Sequence, residues 1–159
     1  MRTLVIGYGN LDRGDDGVAY AVVNGLRKAL SLEPLDEEET GLERLGGGVD
    51  AIFLRQLVPE LMETAAAYDR LVFVDAHVGD RDGELAWRRI VPAFVPSAFT
   101  HHLTPATFLA LMRVLYDRAP AGYLLSIRGR TFDFRRGLSE AAAGLVGCAV
   151  EKILENLSV

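Results

Sequence analysis

The run TLVIGY, Thr3–Tyr8, is apolar on successive residues instead of alternate ones. A strand of that kind must be covered on both faces, as parallel strands between two helical layers are. RLVFVDA, Arg70–Ala76, repeats the pattern and reads as the most clearly buried strand. Two more runs, VDAIFLRQL (Val49–Leu57) and GYLLSIRG (Gly122–Gly129), join them, while GELAWRRIV (Gly83–Val91) alternates and fits an edge. Helical stripes separate these runs. Asp16–Leu30 carries Val18, Val22 and Leu26 on one face, and Pro59–Tyr68 starts with proline in its first turn. Thr104–Tyr116 places Phe108, Leu111/Met112 and Leu115 inward, and Ser139 caps a last helix running to about Leu157. The alternation predicts an α/β fold, a three-layer αβα sandwich with a mainly parallel five-stranded sheet. At 159 residues the chain is expected to form one domain, 1–159, with acidic and then glycine-rich Ser31–Gly48 as a mobile surface connection.

Composition narrows the partners. Seventeen basic against 22 acidic residues give a net charge of −5, which does not support broad binding to nucleic acid or an anionic membrane. Cys148, expected to pack in the core of the last helix, is the only cysteine, so no intrachain disulfide or thiolate zinc cage can form. That fits a reducing cytoplasm. The opening apolar stretch is too short for a secretory signal, and Ala141–Val150, the longest near-apolar run, falls short of the ~20 residues of a membrane span. A soluble, cytoplasmic protein is expected.

In such sheets ligands sit beyond the carboxyl ends of the strands. The segment after the first strand, GYGNLDRGDDG (Gly7–Gly17), has two of the three glycines of a dinucleotide fingerprint, but Asp12 stands at the third position. A phosphate there would meet Asp12, Asp15 and Asp16 within five residues. A helix cap explains one aspartate, not three, and carboxylates held beyond a strand end suit a cation better. Asp75 ends the third strand, where it is either a solvated tip or a ligand. His77, His101 and His102, the three histidines of the chain, lie where strand-end loops should converge. Two carboxylates and one imidazole suit a borderline divalent ion such as nickel or zinc and leave coordination positions open. Arg128, Arg130, Arg135 and Arg136 read as solvated or paired with local acids such as Asp133, with anchoring of a partner's carboxylate as the alternative. Trp87 on the edge strand marks a contact surface only weakly.

With those residues in place, the sequence resembles the hydrogenase maturation proteases, endopeptidases that process the large subunit of nickel–iron hydrogenases. GYGNLDRGDDG matches their opening motif, LVFVDA (Leu71–Ala76) their strand ending in Asp-Ala, and THHLTPATFLALM (Thr100–Met112) their histidine before a helix. A strand, a variable loop, a Gly-Leu-Ser turn and a final helix follow in the same order, so the resemblance covers nearly the whole chain. It departs at Asp12, at Ala19, and in the second strand, where Asp-Gly-Gly-Thr is replaced by a run with Gln56 at its end. The resemblance implies a twisted five-stranded sheet between helices. It also implies a triad of Asp16, Asp75 and His101, both catalytic and metal-contacting, with His101 preferred to His102 because it stands two residues before Leu103. The implied activity is endopeptidase action on a hydrogenase large-subunit precursor, removing its C-terminal extension once nickel is present. The metal is then supplied by the substrate, with Asp12 or Asp15 as a possible proton acceptor. A non-cleaving metal- or partner-binding relative of the family is the alternative.

Overall fold

The computed structural model describes residues 1–95 and 103–157. Strands β1 (Thr3–Tyr8), β2 (Val49–Leu54), β3 (Arg70–His77), β4 (Leu85–Arg89) and β5 (Ala121–Arg128) form one sheet in the order β2-β1-β3-β5-β4. All pair in parallel except β4, which lies antiparallel to β5 at the edge that its alternating sequence predicts. Helices α1 (Val18–Ala29), α2 (Leu61–Ala65), α3 (Pro105–Leu115), α4 (Glu140–Ala143) and α5 (Val146–Leu157) complete the chain. The expected αβα architecture is therefore present.

Strand side chains alternate between faces, and each face has its own core. Val5, Val72, Val74 and Leu125 pack with Val22 and Leu26 of α1 and with Ala149 and Ile153 of α5. Leu4, Ile6, Leu71 and Phe73 pack on the opposite face with Leu61 and Met62 of α2 and with Phe108 and Met112 of α3. Phe73 meets Phe108 edge to face, their ring centres 5.7 Å apart. Helix α1 lies so close to β1 that a Cβ on Gly7 would fall 2.6 Å from a Val23 methyl.

Several boundaries differ from those the sequence predicts. β2 stops at Leu54, so Gln56 lies in the following loop. α2 holds only five residues, Leu61–Ala65. The last helix is divided around Gly144, a residue of poor helix propensity. The acidic connection is anchored: Tyr20 and Asn24 both donate to the Leu35 carbonyl, and buried Arg27 donates to the carbonyls of Glu33 and Ala51. Cys148 is exposed, because α5 turns Ala149 and Ile153 inward instead. Trp87 stacks on Tyr123 with ring centres 5.4 Å apart.

The largest departure concerns Asp15 and Asp16. They belong to a 3-10 turn, Gly14–Gly17, that precedes α1. Asp15 is fully buried and caps nothing on its own helix. Its carboxylate instead accepts four hydrogen bonds from the loop after β5: the amides of Arg130 (2.7 Å), Thr131 (3.1 Å) and Ser139 (2.7 Å), and the Ser139 hydroxyl (2.7 Å). The same hydroxyl accepts from the Ala142 amide and so caps α4, as expected of Ser139. Burial works to raise the pKa of Asp15, but these donors outweigh it and hold the carboxyl below its ordinary value. A depressed folded-state value stabilises the fold fully above the ordinary carboxylate pKa, and the contribution is lost as pH falls through the folded value. Asp15→Ala should therefore cost about 3 kcal/mol, since it strands four part-buried donors. Urea unfolding at neutral pH measures the loss, which should shrink below about pH 4.

Candidate functional site

Chain order runs from β1 outward to β2 and then back across to β3, so the sheet changes direction between β1 and β3. A cleft of about 480 Å³ opens at the carboxyl ends of those strands, where such folds bind ligands. Gly7 of β1 is level with Val74 of β3. The next residues, Tyr8 and Asp75, continue the Leu4–Ile6 and Leu71–Phe73 rows on the same face. An apolar column thus ends in a phenol and a carboxyl at the cleft floor.

Asp16 reaches the same cleft from the 3-10 turn. Its carboxylate accepts the Asn10 amide at 2.7 Å, and the Asn10 side-chain carbonyl accepts the Asp12 amide at 2.9 Å. The exit from β1 passes so tightly that a Cβ on Gly9 would lie 1.9 Å from the Asp16 carbonyl oxygen, which leaves glycine as the only choice. The Gly-x-Gly-Asn motif therefore presents a carboxylate where a dinucleotide fingerprint would present amides to a phosphate.

The acids interact. Burial pushes Asp75 up to about 7, and the negative charge of Asp16 adds to the rise, while the Ala76 amide and the Tyr8 hydroxyl work against it. Tyr8 is held well above the usual phenol range by burial and by its two acidic neighbours, Asp75 first. Asp75 therefore keeps its proton to much higher pH than an ordinary aspartate.

The other candidates are placed elsewhere or lie beyond view. Asp12 ion-pairs with Arg136 at 3.1 Å on the surface, and Asp15 is consumed by its clamp, so neither is available as a proton acceptor in the cleft. His77 is structural. Its Nε2 faces the Gly83 carbonyl at 2.9 Å and must donate to it, so Nδ1 accepts from the Ser126 hydroxyl. Both ring nitrogens are spent. His101 and His102 lie outside the described residues. Among the described residues no three His, Cys, Asp or Glu side chains group closely enough to hold a metal ion; Asp16 and Asp75 both line the cleft. Sequence reasoning misses Tyr8, Arg13 and Arg55, all of which line the cleft. Tyr8 is legible in retrospect, because it ends β1 at the level of Asp75; β3 itself runs on to His77, so Asp75 does not end its strand as expected but is the first residue past the pairing with β1. Arg55 is not, since the sequence places it inside β2.

No protein-family model matches the chain, and no curated protein matches its sequence. Solved structures do. The hydrogenase maturating endopeptidase HybD from E. coli superposes with a TM-score of 0.73 at 22% identity, covering 99% of this chain and 93% of that one. The [NiFe] hydrogenase maturation protease HycI from Thermococcus kodakarensis KOD1 gives 0.72 at 20% identity, over 99% and 93%. The HybD protein of Thermococcus kodakarensis, also a [NiFe] hydrogenase maturation protease, gives 0.69 at 19% identity over 100% of both chains. This chain has the fold of the hydrogenase maturation proteases. The likeness spans both chains almost end to end, and it includes the strand ends that form the cleft.

Carbon-13 titration of the side-chain carboxyls should give Asp75 a midpoint of about 7. Asp16→Asn should lower that midpoint by removing a like charge, and Tyr8→Phe should raise it by removing a hydrogen-bonding partner. Because a raised carboxyl destabilises the fold as pH climbs through its folded value, Asp75→Asn should melt higher than the parent above that pH. The gain in calorimetry should be at least ~3 °C at pH about 8 and vanish near pH about 4.

Proposed function

We propose that this chain is a cytoplasmic endopeptidase that recognises nickel in the precursor of a nickel–iron hydrogenase large subunit and removes its C-terminal extension. The observation that carries the reading is the coupled pair Asp16 and Asp75, facing one cleft at the switch point of a sheet whose solved counterparts are hydrogenase maturation proteases. Nickel enters as part of the substrate. Asp16 and Asp75 supply oxygen contacts, and His101 is the proposed third contact, an imidazole that suits this ion.

The donor chemistry fits. Two carboxyls that repel one another, one of them still protonated near neutrality, are relieved by a cation that takes the proton's place. Recognition should therefore strengthen as pH rises through about 7. The same pair gives the protease its aspartic character, because a carboxyl that titrates near neutrality can take and return protons at a peptide bond. Tyr8 holds Asp75 in place from below.

Mass spectrometry of a nickel-loaded large-subunit precursor incubated with the protein tests this directly. The expected product is the precursor shortened at its C-terminus. Asp16→Asn, Asp75→Asn and His101→Ala should each slow processing by about 100-fold or more while leaving the circular dichroism spectrum unchanged. A precursor bound but left at full mass would instead identify a non-cleaving relative.

A further inference from the structure

Arg55 lies in the loop beyond β2 and Arg13 just before the 3-10 turn, and both line the cleft that Asp16 and Asp75 share. Three other arginines are already committed. Arg128 and Arg130 pair with Glu84, and Arg136 pairs with Asp12 and Glu37. The side chain of Arg55 makes no hydrogen bond or ion pair among the described residues. The Arg13 side chain has only a long hydrogen bond, 3.4 Å, to the Phe132 carbonyl. Neither guanidinium touches the acid pair, although all four groups face one space.

From this arrangement we infer that Arg55 and Arg13 form a carboxylate-binding subsite, which selects a polypeptide carrying an acidic group beside the segment held by Asp16 and Asp75. The inference rests on the reading of the cleft as a peptide-processing site. Two guanidinium forks without an acidic partner among the described residues match a planar carboxylate, which each can grip through two parallel N–H donors. A phosphate would bring up to twice the charge toward two carboxyls and is disfavoured by them. A singly charged peptide carboxylate meets the arginines with less repulsion from the floor. The subsite would fix the register of an extended chain over the acid pair, a role less suited to Arg128, Arg130 and Arg136, which already pair with Glu84, Asp12 and Glu37.

Arginine Nε–Hε signals of the full chain, assigned with Arg13→Gln and Arg55→Gln, report the subsite without any cleavage. Three capped peptides serve as probes: acetyl-Ala-Asp-Ala-amide, acetyl-Ala-Asn-Ala-amide, and acetyl-Ala-Ala-Ala with a free carboxyl end. The Arg13 and Arg55 signals should move with one or both acidic peptides and stay still with the Asn peptide. Which acidic peptide acts tells a side-chain carboxylate from a terminal one. Affinity should fall at least about tenfold in Arg55→Gln, the effect of losing one charge-assisted contact. Equal response to the Asn peptide, no response to any peptide, a stronger response to inorganic phosphate, or shifts confined to Arg128, Arg130 and Arg136 would each overturn the subsite. Processing of nickel-loaded precursor, followed in parallel, judges the protease reading separately. Failure there with an intact acidic-peptide response removes the protease and leaves the subsite standing.

Discussion

Two adjacent aspartates in a short turn have opposite fates, and the site depends on that division. Asp15 is buried with its carboxylate filled by donors from a loop more than a hundred residues further on. That bond set fixes the 3-10 turn against the carboxyl end of the sheet. Only then can Asp16, one residue later and pointing away, be held over the end of β3. A charge buried without such partners would be expelled or neutralised. Here four donors make burial favourable, and the clamp carries the neighbouring carboxyl to a place it could not hold alone.

Asp75 shows the other side of the same physics. It has few donors, it sits near a second carboxyl, and it is pushed up to about 7, well above an ordinary aspartate. Such a group lowers stability at neutral pH, and folds keep such groups where function requires them. The strain is local, because the column beneath it (Leu71 and Phe73 against α3) is a dry and well-packed core. The rigid part of the fold therefore supports a charged end that would not be stable in isolation.

Much of this was legible in the sequence, for reasons that also mark the limits. Continuous apolar runs located β1 and β3 closely, since a strand covered on both faces leaves no doubt about its period. The edge position of β4 followed from its alternation. Asp16 and Asp75 could be placed near the carboxyl edge of the sheet because the fold class dictates where strand ends meet, although β3 runs two residues past Asp75. The fate of Asp15 was not legible. Its partners are backbone amides at Arg130, Thr131 and Ser139, and amides carry no residue-type signal. Cys148 failed for a related reason: the apolar stretch around it suggested burial, but α5 is wet on the face that Gly147 and Cys148 share.

The remaining arginines explain how the acid pair keeps its character. A guanidinium bonded to Asp75 would pull its pKa down and fill the space a cation needs. Several arginines of the chain are tied to other acids. Glu84 takes two of them, Asp12 and Glu37 hold a third, and Arg13 and Arg55 face the cleft without reaching the acids. Asp12, which spoils the dinucleotide fingerprint, therefore does further work in the folded protein: it helps hold Arg136 at the surface. The acidic excess of the chain is thus partly structural, since these carboxylates neutralise cations that would otherwise quench the pair. The cleft thus presents carboxyls beside arginines that have no acidic partner among the described residues, so both signs of charge are available at one surface.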